Sequence, residues 1–509
     1  MHRRTGALVL VACLTACATA PDVVSTGAQS NRTAASSTTV GVDDSTPPPE
    51  STAPSDTTPK PFPIATSSVP PTHGDPNGIG DQLFPSLGNP GIDVEHYTLV
   101  LQYDPKLNEL SASAHLDVLM TENRKTFSLD SAGPIVSTVL VDTVPAEFAA
   151  DPPELFITPA SPLSKGQRIA VDVAYTLSPE PVVSAAGDAV GWYPTGGGSY
   201  VLNEPEGAHT WIPCDDHPSD KATFRFEVTV PSGITAVANG GLVGHTSTDS
   251  TETWIWQEDR PMATYLIQLL TGDYELVDGI GPNGLPLLSA VLHDDREKMQ
   301  AYLDSIDEQV DFFDDYFGPY PLDRYGIAIA DSHPGLAMET MERSQFSRED
   351  FSSGRLEYIQ QRFLSHELAH QWFGDAVSPA LWGDVWLNES FATYGEWMWI
   401  DHVGLQTIED SATAGLAARE QWSTASPRAD QLFQFNSYDG GAVILHALRQ
   451  TVGDDLFFSL LQRWVAQYNG TSRTTQDFVD LAALVVGRDL TDFFDTWLYA
   501  ETLPMTFPS

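Results

Sequence analysis

His366, Glu367 and His370 stand as His-Glu-x-x-His within residues 355–396, RLEYIQQRFLSHELAHQWFGDAVSPALWGDVWLNESFATYGE. Around them Leu356, Ile359, Phe363, Leu364, Leu368 and Trp372 recur at helical spacing. Positions four apart on a helix lie one above the other, so both imidazoles point at one spot. Glu367 sits beside the first histidine and off that line, able to reach a water on a metal but poorly placed to be a ligand. A reversal through Gly374-Asp375 and Ser378-Pro379 leads into a second apolar helix over residues 385–400, with Glu389 in its first turn. Eighteen residues separate His370 from Glu389, which leaves room for the reversal and for Glu389 to supply a third ligand. Two imidazoles and one carboxylate, with the fourth position left to water, is the catalytic pattern for zinc, whereas structural zinc is closed by four protein ligands.

Two kinds of element must position these residues. Upstream of the motif, Met299, Tyr302, Leu303, Ile306, Val310, Phe313 and Phe317 line one face of an expected helix from about Asp294 to Gly318-Pro319. A short strand is expected over residues 325–330, then the segment His-Pro-Gly-Leu-Ala-Met-Glu-Thr at 333–340, then mainly helix to the end. The earlier part of the chain has a period of two instead. Tyr97, Leu99, Leu101 and Tyr103 alternate with polar residues, and after a turn at Asp104-Pro105 Ala114, Leu116, Val118 and Met120 do the same, which predicts a β-hairpin. Alternation in FRFEVTV at 224–230 and TWIWQ at 253–257 extends the all-β reading to about Val277. The breaker-rich DGIGPNG at 278–284 places the expected domain boundary there, giving a β-domain over 81–279 and a catalytic domain over 280–509.

With 25 basic against 69 acidic side chains in 509 residues, the formal net charge is −44. Such acidity repels phosphate backbones and argues against nucleic acid as a partner. At the start, His2-Arg3-Arg4 precedes an apolar run over residues 7–14 that is too short to span a bilayer. Leu-Thr-Ala-Cys at 14–17 resembles a bacterial lipobox, which implies a signal peptide over 1–16 and lipid on Cys17, hence an exported protein anchored to the outer face of the membrane; the alternative is simple secretion. The Ser-, Thr- and Pro-rich stretch over 17–80 reads as a disordered tether reaching on the order of 45 Å. Of three cysteines, Cys13 and Cys17 belong to export, so Cys214 is left without a partner and is expected to be a buried structural thiol.

HELAHQWFGD followed by WLNESFA at this spacing resembles the aminopeptidase N family of zinc peptidases, the gluzincins. Further segments match it in order: DQLFPSLGNPGIDVEHYTLVL at 81–101, Asn203-Glu204-Pro205-Glu206 through Trp211-Ile212-Pro213-Cys214-Asp215, KATF at 221–224, Ala337-Met338-Glu339, and Ser437-Tyr438-Asp439-Gly440-Gly441-Ala442. The resemblance implies a multidomain α+β chain, with a saddle-like antiparallel β-domain preceding a thermolysin-like, mainly helical domain. It implies one zinc per chain on His366, His370 and Glu389, Glu367 as general base, and Tyr438 as hydrogen-bond donor to the oxyanion. Glu339, with Glu206 from the β-domain, would hold the α-ammonium group of a peptide with a free N-terminus. The activity implied is removal of N-terminal residues; the alternatives are an endopeptidase with the same site or an inactive surface binding protein. Leu336 and Thr340 depart from the Gly and Asn usual in the family, and Gly440 replaces a frequent Lys. Relatives commonly continue past the segment matching FFDTWLY at 493–499 into a large helical domain, so the resemblance implies a short form.

Overall fold

The structure, a computed structural model, describes residues 78–332, 335, 337–351, 357–418, 431–500 and 504–508, apart from the Ile359 side chain. The expected signal peptide, Cys17 and the tether up to residue 77 lie outside the described residues, as does Leu336.

The alternating hydrophobic pattern builds the first half. Strand Ile92–Asp104 pairs antiparallel with Glu109–Met120, with Tyr97 opposite Leu116 and Leu99 opposite Ala114, all four fully buried. Its other edge runs parallel to Lys221–Pro231, which pairs antiparallel with Thr251–Ala263. These strands lie within an eight-stranded sheet. A five-stranded sheet contains Ser199–Leu202, and the chain leaves that strand directly into Asn203 and Glu204. Cys214 is buried and unpaired, as its isolation in the sequence implies.

A further five-stranded sheet has the order Tyr274–Ile280, Pro286–Leu292, Ile327–Ala330, Ser344–Ser347, Ala337–Met338. The interruption at 278–284, expected to separate domains, instead turns a hairpin within this sheet: Asp278 pairs with Leu288 and Ile280 with Pro286. Gly and Pro mark a turn; the pairing on either side decides whether that turn parts two domains or joins two strands. Ala337–Met338 forms the sheet's outer edge and carries Glu339 at its end.

The helix expected from Asp294 is two helices, α1 (Arg296–Asp304) and α2 (Ile306–Phe317), parted at Ser305. There the Ser305 hydroxyl donates to the Tyr302 carbonyl at 2.8 Å, offering the backbone a local alternative to the helical ladder. The apolar face survives the break, with Met299, Ile306, Val310, Phe313 and Phe317 buried. Then follow α3 (Glu357–Ala369), α4 (Trp386–His402), α5 (Ile408–Ala418) and α6 (Asp439–Val452). Helix α4 is buried on every side from Trp386 to Ile400, which accounts for its mainly apolar sequence, and the polar Asn388, Glu389, Ser390, Thr393 and Glu396 are buried with it.

Buried polar groups join the β-sheets to the helical half. The Arg343 guanidinium donates to the carbonyls of Ala238, Gly240 and Leu288 and lies over the Trp256 ring. Asp81 accepts the Trp382 backbone N–H at 2.7 Å, just ahead of α4. Among the described residues no helix is long and apolar enough to cross a membrane.

Candidate active site

Helix α3 carries His366 and Glu367 in its last turn, and His370 follows one turn on. As the four-residue spacing requires, the imidazoles converge, with the two Nε2 atoms 3.1 Å apart. Glu389, in the first turn of α4, brings Oε2 to 3.3 Å from His366 Nε2 and 3.4 Å from His370 Nε2. Each ring's other nitrogen is also engaged: His370 Nδ1 lies 3.0 Å from the Phe373 carbonyl, and His366 Nδ1 lies 3.5 Å from Glu396 Oε2. With those acceptors behind them, both rings keep Nε2 turned toward Glu389, the orientation a metal ligand needs. Arg362 donates to Glu396 and so completes a chain of support behind His366.

The reversal between the helices is held from the β-sheets. Gly374 takes a positive φ of 129°, and a Cβ there would press on His370 Nδ1 and Asn388 at 3.3 Å. Lys221, from a β-strand, donates to the Asp375 carbonyl at 2.8 Å. Burial drives the Lys221 ammonium down to about 7 although the Asp375 carboxylate favours its charge.

Glu367 is buried beside this set, and one ligand atom each of Glu339, Glu367 and His370 lie within 4.8 Å of one another. Glu339 is fully buried, and its Oε1 has no hydrogen-bond partner. Thr340 turns inward, donating to the Arg343 carbonyl at 2.6 Å and accepting from Gln268 Nε2 at 2.8 Å, so in place of Asn it locks the strand end against the β-sheets.

The structure does not bring Glu206 into this cluster. Its Oε1 accepts the Ala185 N–H at 2.6 Å. Glu204 takes the place instead: its carboxylate lies within 4.8 Å of Glu339 and Glu389, and its Oε1 is shielded without a hydrogen-bond partner. The Gly207 N–H donates to the Asn203 carbonyl at 2.5 Å, closing a turn within which the two glutamates diverge.

Tyr438 caps α6, its ring centroid 5.9 Å from that of His366 and nearly parallel to it. The Ser390 hydroxyl, next to Glu389, donates to the Ser437 carbonyl at 2.6 Å and ties this turn to α4. The Gly440 N–H donates to the Phe435 carbonyl at 2.7 Å, and a Cβ at Gly440 would crowd that oxygen at 3.0 Å.

Charge in the cleft is unbalanced. Burial raises Glu367 to about 8; His366 and His370 oppose the rise, and Glu339 and Glu389 add to it. Burial and the charges of Glu339 and Glu389 push Glu204 well above the carboxylate range. Burial also works against charge on His366, but Glu389 and Glu396 outweigh it and hold that pKa at about 9. Glu389 is drawn to about 2, the two histidines overcoming its burial. Five carboxylates, counting Asp375, thus face two imidazoles and one weakened lysine, an arrangement that calls for added positive charge. His366, His370 and Glu389, mutually within 4.8 Å, offer the two nitrogens and one oxygen that suit zinc.

Two family models match the chain: the Peptidase M1 N-terminal domain over residues 93–266 and the Peptidase family M1 domain over residues 301–497. The chain is 28% identical over 448 residues to "Probable aminopeptidase 2" of Sulfurisphaera tokodaii, an alignment covering 82% of this chain and 55% of that protein. It therefore spans about half the length of this curated relative. An M1 zinc metallopeptidase from Deinococcus radiodurans superposes with a TM-score of 0.76 at 31% identity, covering 85% of this chain and 99% of that one. A mutant M1 zinc metallopeptidase from the same organism, bound to a Tyr-Ser-Ala substrate, superposes with a TM-score of 0.75 at 30% identity over 85% of this chain and 99% of that one.

Proposed function

This chain belongs to peptidase family M1, and from that premise we propose that it is a zinc-dependent aminopeptidase removing single residues from peptides with a free N-terminus. One observation carries the reading: Glu204 and Glu339, from separate sheets, converge on Glu389 with oxygens that no protein donor satisfies. A substrate's α-ammonium group supplies the missing charge and donors. The scissile bond then lies one residue from that anchor, beside His366 and His370.

Zinc, when bound, polarises the scissile carbonyl and acidifies water near neutral pH. Glu367, buried beside His370 and Glu339, accepts a proton from the attacking water and returns it to the leaving amine. Tyr438 donates a hydrogen bond to the carbonyl oxygen as it gains charge. The edge strand Ala337–Met338 offers its free backbone groups to the substrate chain, which lies along it as an added strand. The test compares a free-amine peptide with its N-acetylated form on protein of measured zinc content, alongside Glu367→Gln. The free peptide is expected to be trimmed from its end and the acetylated one spared, while Glu367→Gln keeps zinc and loses turnover. Internal cleavage of both peptides at equal rates would make the enzyme an endopeptidase.

The proposal extends to location: Leu-Thr-Ala-Cys at 14–17, after a basic and then an apolar stretch, supports export and lipid attachment at Cys17. Fatty-acid labelling of the wild type, absent in Cys17→Ala, tests it.

A further inference from the structure

We propose that Glu204, Glu339 and Glu389 form a second, weaker zinc site, whose ion occupies the place of the substrate's α-ammonium group. This rests on the reading of Glu204 and Glu339 as the ammonium anchor. One oxygen from each of the three residues lies within 4.8 Å of the others, an envelope that accommodates an ion with zinc–oxygen bonds of about 2.0 to 2.2 Å. The acids do not satisfy one another: Glu204 Oε1 and Glu339 Oε1 are both buried without a hydrogen-bond partner. Neighbouring nitrogen groups are committed elsewhere. The Lys221 ammonium donates to the carbonyls of Asp375 and Ala376, and the histidine Nε2 atoms face Glu389 Oε2.

The ligand chemistry ranks the two sites. His366, His370 and Glu389 supply two imidazoles, which suit zinc, whereas the second site supplies carboxylates alone and so holds zinc less tightly. Glu389 is common to both sets, so an ion in the second site would draw on a carboxylate that the first already uses. Zinc in excess of one equivalent therefore takes the ammonium position and blocks a free N-terminus. Inhibition follows as a rise in KM with kcat unchanged.

Equilibrium dialysis of the holoenzyme against free zinc, in potassium chloride to screen the acidic surface, tests the site without using activity. The wild type is expected to bind two zinc ions per chain, and Glu204→Gln and Glu339→Gln one each, the retained equivalent confirming that both variants fold. 3-Methylbutylamine, a free amine with no bond for the enzyme to cut, is expected to release one equivalent from the wild type, and its N-acetyl form none. A single equivalent in the wild type, or a second equivalent kept by both variants, overturns the site. A second equivalent lost in the variants but unmoved by 3-methylbutylamine overturns its overlap with the ammonium. The aminopeptidase reading stands or falls separately, on whether the one-zinc enzyme trims free-amine peptides.

Discussion

Gly441 and Ser390 meet so closely that a Cβ on the glycine would lie 1.8 Å from the Ser390 hydroxyl oxygen. This contact seats α6, with Tyr438 at its start, against the turn of α4 that carries Glu389. Gly441→Ala must push the helices apart or turn Ser390 away from the Ser437 carbonyl. Overpacking of this kind costs about 1 to 3 kcal/mol, and a shift of about 1 Å in a catalytic group lowers turnover by roughly 10²-fold. Thermal unfolding should show the first effect, and kcat at unchanged zinc content the second.

Glu204 and Glu206 are two residues apart and differ in what they face. Losing one partner of a desolvated charge pair costs about 2 to 5 kcal/mol, so Glu204→Ala and Glu339→Ala should each lower kcat/KM on free-amine peptides by roughly 30- to 4,000-fold. Glu206→Ala should lower it by less than about threefold, because its carboxylate is spent on the Ala185 N–H. Kinetics on one free-amine substrate decide the assignment, and equal losses at 204 and 206 would remove it.

Tyr438→Phe deletes a single hydroxyl from the ring that stacks on His366. Removal of one oxyanion donor typically costs about 10²- to 10³-fold in kcat, and metal content should not change. A fall of less than about threefold would mean that another donor serves the oxyanion.

Asp81 links the first described segment to the zinc helices, accepting from the N–H groups of Trp382, Leu83 and Phe84 and lying 3.2 Å from His217 Nε2. Burial by itself would raise the Asp81 carboxyl, but His217 and these N–H donors outweigh it and hold it below its ordinary value. A carboxylate with a depressed folded-state pKa stabilises the fold above its unfolded pKa of about 4, and this contribution fades as pH falls through the folded value. Asp81→Asn should therefore destabilise by about 1.5 to 3 kcal/mol at pH 7, the range for hydrogen bonds to a charged group, and the deficit should shrink below about pH 4. Urea midpoints of the two proteins at both pH values measure it.

The zinc ligands were legible in the chain because the information that aligns them is local. Four residues of helix put His366 under His370, and a mainly apolar run over 385–400 announced the helix carrying Glu389. The hairpin of Ile92–Asp104 with Glu109–Met120 was legible for a similar reason, since alternation states which face is buried. Tertiary structure alone decided between Glu204 and Glu206: the turn closed by Gly207 and Asn203 sends them apart, and no periodicity encodes that direction. It likewise decided that the glycines at 278–284 turn a hairpin, because strand partners are chosen across the sheet. The excess of carboxylates in the cleft arises the same way. Glu204 and Glu339 follow strands of two different sheets, whereas Asp375 and Glu389 lie on the reversal and helix around the zinc ligands, and only packing of the β-sheets on the zinc helices adds their charges together in one desolvated place.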